Sequence, residues 1–130
     1  AISARRAALA DAALAPADIG YVNLHGTATP SNDAAEDRAV GAVFGHETPC
    51  SSTKGATGHT LGAAGGVEAV IALLALQHGL LPAGLHVREI DPALRLNYLR
   101  ENRAQRVRAV LSNSFGFGGT NASLVLGAAE

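Results

Sequence analysis

One cysteine, no methionine, no tryptophan and only 4% aromatic residues leave this 130-residue chain short of what several protein classes require. A lone Cys50 excludes an internal disulfide framework and suits a reducing compartment, so the chain reads as soluble and cytoplasmic. Scarce aromatics leave no stacking platform for single-stranded bases, and a formal net charge of -1 argues against nucleic acid as a main partner. The longest apolar run, Val67 to Leu76, is interrupted by Glu68 and reads as too short to cross a bilayer, so no membrane is expected. Arg5 and Arg6 precede alanines, but Asp11 breaks the run, against a signal peptide. A starting methionine is missing too, and the chain opens within a helical pattern, as a piece of a longer protein would.

What is present is 48% hydrophobic and built from Ala, Val, Leu and Gly, which suits close helix-on-sheet packing in one domain, 1–130. The composition and stops predict a helix over Ile2–Leu14, ended before Pro16, and a strand over Tyr21–Leu24 that leaves His25 at its carboxyl end. Ser31, Asn32 and Asp33 are candidate N-caps of a second helix, with Glu36 at capping-box spacing from Asp33. Its core face is expected from Ala35, Ala39, Val40, Val43 and Phe44, with Gly45 as the stop. Thr48–Thr53 reads as a strand with Lys54 at its end. Thr60–His78 reads as a helix apolar nearly all round and therefore buried. After an extended connection from Leu80 to Tyr98, two strands, one from Arg106 into Ser114 and one over Asn121–Gly127, flank a glycine-rich loop.

The chemistry concentrates between Ser51 and Glu68. An ionised carboxylate within an apolar helix costs several kcal/mol unless neutralised, so Glu68 calls for a partner, and Lys54 is the nearest basic candidate. His59 lies at the mouth of that helix, where the dipole favours an uncharged ring able to donate to a developing oxyanion. His25 follows a strand end, the edge where open α/β sheets bind ligands. The five histidines show no close pair and Cys50 has no companion, so no metal site is expected. Cys50 itself reads as a buried core thiol rather than a nucleophile. The glycines after Phe115 lead into a strand, not a helix, so they suit backbone N–H groups aimed at a ligand oxygen rather than a phosphate cradle. The arginines between Arg95 and Arg108 read as a solvated face.

Three stretches carry a resemblance to a known family. They are His25-Gly26-Thr27-Ala28-Thr29-Pro30, then Ser52-Thr53-Lys54 with Thr57-Gly58-His59 and Leu61 to Gly65, and finally Asn113 to Asn121. In order and spacing they resemble the carboxyl-terminal half of β-ketoacyl-acyl-carrier-protein synthases, the elongating condensing enzymes. The resemblance implies a thiolase-like α/β fold: a mixed sheet of about four strands layered with helices, one half of an α/β/α/β/α sandwich. It implies a decarboxylative Claisen condensation of an acyl thioester with malonyl on acyl carrier protein, in fatty-acid or related polyketide or polyene synthesis.

By the same resemblance, His25 and His59 would bind the malonyl thioester carbonyl and promote decarboxylation, and Lys54, paired with Glu68, would order the site. Thr27 and Thr29 would bond the phosphopantetheine arm, and Phe117 would gate the site and lend its N–H to an oxyanion hole. Phe115 and Gly118 would contact substrate in the same loop. No cofactor of its own is implied, since phosphopantetheine arrives on the carrier protein. The family's nucleophilic cysteine belongs to an amino-terminal half absent here, and Cys50 does not match it, so the piece alone is expected to be inactive. The expected partners are the carrier protein, the missing half and, in the intact protein, a second copy in a homodimer. A fragment of a non-catalytic, chain-length-factor-like subunit is the alternative, disfavoured because His25, Lys54 and His59 stand together; thiolases and initiating condensing enzymes, which lack the Lys54–His59 pattern, rank lower.

Overall fold

A computed structural model describes residues 1–128. Helix α1 covers Ile2–Asp11 and turns Arg5 and Leu9, one helical turn apart, inward. It ends three residues short of the expected Leu14 because Ala13 takes a left-handed φ of 52° and Leu14 N–H folds back to Leu9 O at 3.0 Å. Strand β1, Ile19–Asn23, follows. Helix α2, Pro30–Phe44, starts with Thr29 at the cap position and proline at its first position, so Ser31, Asn32 and Asp33 fall inside the first turn rather than capping it. Its buried residues are Glu36, Asp37, Ala39 and Val40, while Ala35, expected inward, is exposed. Gly45 closes it with a φ of 72°, as expected.

Strand β2, Pro49–Ser51, leads into the single-turn helix α3, Lys54–Thr57, and a 3₁₀ turn over Leu61–Ala63 delivers the chain to α4, Ala64–His78. Two short strands, β3 (Leu80–Leu81) and β5 (Arg103–Ala104), pair antiparallel beside the main sheet. That sheet has five strands in the order β4-β2-β1-β6-β7, one more than the about four expected. The extra strand is β4, Asn97–Tyr98, inside the stretch read as an extended connection. Two residues are too few to leave a periodic pattern. β4, β2, β1 and β6 (Ala109–Phe115) run parallel, and β7 (Asn121–Gly127) closes one edge antiparallel to β6.

Both faces of the sheet are covered, which is why its inner strands are apolar on both sides. Val22 and Leu111 pack with Leu9 and Val40 toward α1 and α2, and Tyr21 and Val110 pack with Ala72 and Leu81 on the α4 side. Cys50 belongs to the first of these cores, fully buried, and burial beside the Glu36 and Asp37 charges pushes its thiol to about 12. α4 departs from its expected all-round burial. Ala64, Glu68, Ala72 and Ala75 form the inner stripe, whereas Val70, Leu73 and Leu74 are 56%, 49% and 46% exposed. Leu61–His78 is long and apolar enough by composition to pass for a bilayer span, contrary to the shorter run counted from Val67. Its buried carboxylate and its packing on β6 instead make it a sheet-covering helix with one bare apolar flank.

Candidate functional site

Register brings the site together. Asn23 stands opposite Ser51 on one side and Ser112 on the other, so β1 and β2 end level with each other beside β6, which runs on to Phe115. His25, Lys54 and Asn113 therefore emerge side by side, although they are up to 88 residues apart in the chain (113 − 25). The carboxyl edge of a parallel sheet is where ligands bind in such folds.

His25 is 6% exposed and its backbone is held from both sides. Glu36 reaches up from α2 and accepts the N–H groups of His25 and Gly26, each at 2.8 Å. Glu36 is thus no capping-box residue but a buried clamp on the β1–α2 loop. Ser52 Oγ donates to the Gly26 carbonyl at 2.9 Å, and Gly26, at φ 43°, lies so close that a Cβ there would collide with Ser52. On the other side the Lys54 ammonium donates to the His25 carbonyl at 2.6 Å and lies 3.5 Å from His25 Nδ1. Its remaining donor capacity goes to Glu68 Oε1, in the buried ion pair expected from the composition of α4. Burial pushes the Glu68 carboxyl upward, and the Lys54 hydrogen bond and charge pull it back.

Burial, with the Lys54 and His59 charges, holds His25 down at about 4, so its ring is neutral at pH 7. Its Nδ1 faces a donor, which leaves the proton on Nε2. His59 is exposed, and its Nδ1 accepts the Leu61 N–H at 3.1 Å, so its neutral form also carries its proton on Nε2. The 3₁₀ turn stands between His59 and the start of α4, so the turn rather than the helix mouth fixes the ring. The two rings meet edge to face with centroids 5.4 Å apart. With both Nδ1 atoms engaged, each ring keeps its Nε2–H free, and two such donors can converge on one anionic oxygen.

The Phe115 ring lies 5.3 Å from the His25 ring and walls the site from β6. Phe117 does not join it. It is 96% exposed at the tip of the glycine-rich loop, where Gly118 and Gly119 have φ of 81° and 88°. Thr27 and Thr29 hydrogen-bond each other at 3.0 Å on the rim. The arginines between Arg95 and Arg108 lie exposed.

Sequence reasoning missed a second layer. Arg5 is fully buried, with Nη2 3.6 Å from Glu36 Oε1 and its guanidinium carbon 5.3 Å from the centre of the Phe115 ring. The Asn113 amide, in the orientation that satisfies both of its ends, accepts from Arg5 Nε and Nη2 at 3.1 and 3.0 Å and donates to Ser123 Oγ at 2.9 Å. The available signal was Arg5 one helical turn before Leu9, on the inward stripe of α1.

A mixed, mostly parallel sheet covered on both faces, with a His-Lys-His group at the carboxyl ends of its parallel strands, fits a thiolase-like α/β domain. The chain belongs to the β-ketoacyl synthase family: residues 1–88 match the family model "Beta-ketoacyl synthase, C-terminal domain". It is 48% identical over 132 residues to the mitochondrial 3-oxoacyl-[acyl-carrier-protein] synthase of Arabidopsis thaliana, covering 96% of this chain and 29% of that protein. It is 48% identical over 110 residues to 3-oxoacyl-[acyl-carrier-protein] synthase 1 of Escherichia coli strain K12, covering 83% of this chain and 27% of that one. Among solved structures, a ketosynthase, ApeO, in complex with its chain length factor, ApeC, from Xenorhabdus doucetiae superposes with a TM-score of 0.93 at 50% identity, over 98% of this chain and 33% of that one. A β-ketoacyl synthase from Burkholderia phymatum STM815 gives 0.96 at 41% identity, over 99% and 32%. The chain thus spans about three tenths of the length of these curated relatives.

Proposed function

We propose that this chain is the carboxyl-terminal portion of a 3-oxoacyl-acyl-carrier-protein synthase and provides the malonyl-activating side of its active site. The observation that carries this reading is the pair of imidazoles, His25 and His59, that meet edge to face with their Nδ1 atoms engaged and their Nε2 atoms free, while Lys54 fixes the first of them. In this reading the malonyl thioester carbonyl oxygen sits between the two donors. As the bond from the malonyl α-carbon to its carboxylate breaks and carbon dioxide leaves, the electron pair moves into the carbonyl and the two N–H groups hold the enolate oxygen. The enolate carbon then attacks the acyl thioester carbonyl held on a cysteine elsewhere in the protein, and that thiolate leaves. The Lys54–Glu68 pair keeps a cation beside the developing negative charge without the pair itself carrying net charge.

The partners follow from that chemistry. Malonyl arrives on the phosphopantetheine of an acyl carrier protein, with Thr27 and Thr29 on the rim where the arm would pass, Phe115 beside the His25 ring, and Phe117 and Gly118 on the exposed loop that would contact the incoming chain. The bare flank of α4, Val70, Leu73 and Leu74, supports a covering partner within the intact protein, and a homodimer completes the assembly. The test is decarboxylation of malonyl-carrier protein by the intact protein. His59→Ala is expected to lower that rate at least about a hundredfold, the range of a lost oxyanion donor. Wild-type turnover in that variant would remove His59 from the reaction.

A further inference from the structure

Arg5 is a fully buried cation that the reaction just described does not use. It sits on α1, which carries none of the reacting groups, and it projects through the core to the underside of the site. Three contacts converge on it. Its Nη2 faces Glu36 Oε1, the same oxygen that accepts the His25 N–H. Its Nε and Nη2 donate to the Asn113 amide on β6. Its planar head lies over the face of Phe115, whose ring is also in contact with His25.

We propose that Arg5 is a positioning residue for the condensing reaction, joining the Glu36 clamp on the His25 loop to the Asn113–Phe115 end of β6 so that the two are set in register. The inference rests on the functional reading above. Its physical basis is that a buried carboxylate accepting two N–H groups needs a cation to remain a strong acceptor, and Arg5 is the cation nearest to it from below. Lys54 lies across the loop and is engaged with the His25 carbonyl and Glu68. A guanidinium also does what an ammonium cannot: it pairs with Glu36 and donates twice to Asn113 while lying over the Phe115 ring. Removing it loosens the acceptor that holds His25 and the ring that walls it, in one step. The effect falls on placement of the reacting groups, not on the surface that receives the carrier arm.

The experiment compares Arg5→Met and Arg5→Lys with wild type in the intact protein, by condensation kinetics with malonyl-carrier protein as the varied substrate and by thermal denaturation. Arg5→Met is expected to lower kcat about tenfold, a modest share of what misplaced groups can cost, with KM for malonyl-carrier protein within about twofold. Arg5→Lys is expected to fall between the two, because it restores the charge without the planar fork. Wild-type kcat in Arg5→Met, or a raised KM with unchanged kcat, would overturn the assignment. If Arg5→Met is not recovered folded, Arg5→Lys decides alone: kcat below about a third of wild type supports the role and wild-type kcat overturns it. Absence of condensation by wild type is a different result, and it removes the functional reading itself.

Discussion

Replacing Glu68 by Gln takes the charge from one side of a buried ion pair while leaving its shape almost unchanged. Glu68 is 1% exposed and Lys54 9%, so neither group can turn to water when its partner is lost. Breaking such a pair from one side costs about 3–5 kcal/mol, because a buried charge is left uncompensated. The Gln carbonyl still accepts from Lys54, which returns about 1 kcal/mol, so a net loss of about 2–4 kcal/mol is expected. Removing both charges should be cheaper than that range suggests for two independent losses. In Lys54→Met with Glu68→Leu neither charge of the pair remains, and the main residue of damage is the His25 carbonyl, which loses its 2.6 Å donor. That unsatisfied acceptor costs about 1–3 kcal/mol. The assay is urea unfolding of wild type, the single variants and the double variant at pH 7, with decarboxylation of malonyl-carrier protein measured beside it. The double variant should be no less stable than Lys54→Met alone, and inactive. Strict additivity of the single-variant losses, or a Glu68→Gln protein as stable as wild type, would refute the view of a coupled buried pair.

The titration of His25 gives a prediction of opposite character. Its folded-state value is depressed to about 4 from the ordinary 6.5, so the stabilisation is present above 6.5 and is lost as pH falls through about 4. His25→Gln lacks this loss, and parallel pH-dependence of unfolding in the two proteins between pH 7 and 4 would contradict it. Ala13→Gly relieves a left-handed alanine at the end of α1 and should raise stability by about 0.5–1 kcal/mol without touching kinetics, measured by the same urea titration.

Much of the site was legible because its residues break local rules. A glutamate among Ala, Val and Leu in α4 is costly alone, and that cost points to a basic partner, Lys54, from the sequence itself. Histidine after a short apolar strand pointed to the sheet edge in the same way. Glu36 was read through a local rule that it also satisfies by spacing, and the competing demand came from 10 and 11 residues away, from the N–H groups of Gly26 and His25. Spacing along a helix cannot reveal an acceptor needed by a loop that folds back over it. The same limit hid β4, which exists because Cys50 offers its carbonyl to Leu99 N–H at 2.8 Å and Tyr98 pairs with Cys50 across the ladder. Even α4, whose apolar sequence was plain, misled about its surroundings: composition records that a surface is to be covered, not by which piece of chain.

The inner stripe of α4 shows how the fold makes the Lys54–Glu68 pair possible. Ala64, Ala72 and Ala75 are small enough to let the helix approach the sheet closely, and that approach brings the Glu68 carboxylate to an ammonium fixed at the start of α3. Larger residues in the stripe would lift the helix, and a lifted Glu68 would leave Lys54 buried without its counter-charge. The cost of that stranded cation would be borne at the His25 carbonyl, the one strong acceptor remaining to it. The alanines are therefore tied to the placement of His25 as firmly as the charged residues are.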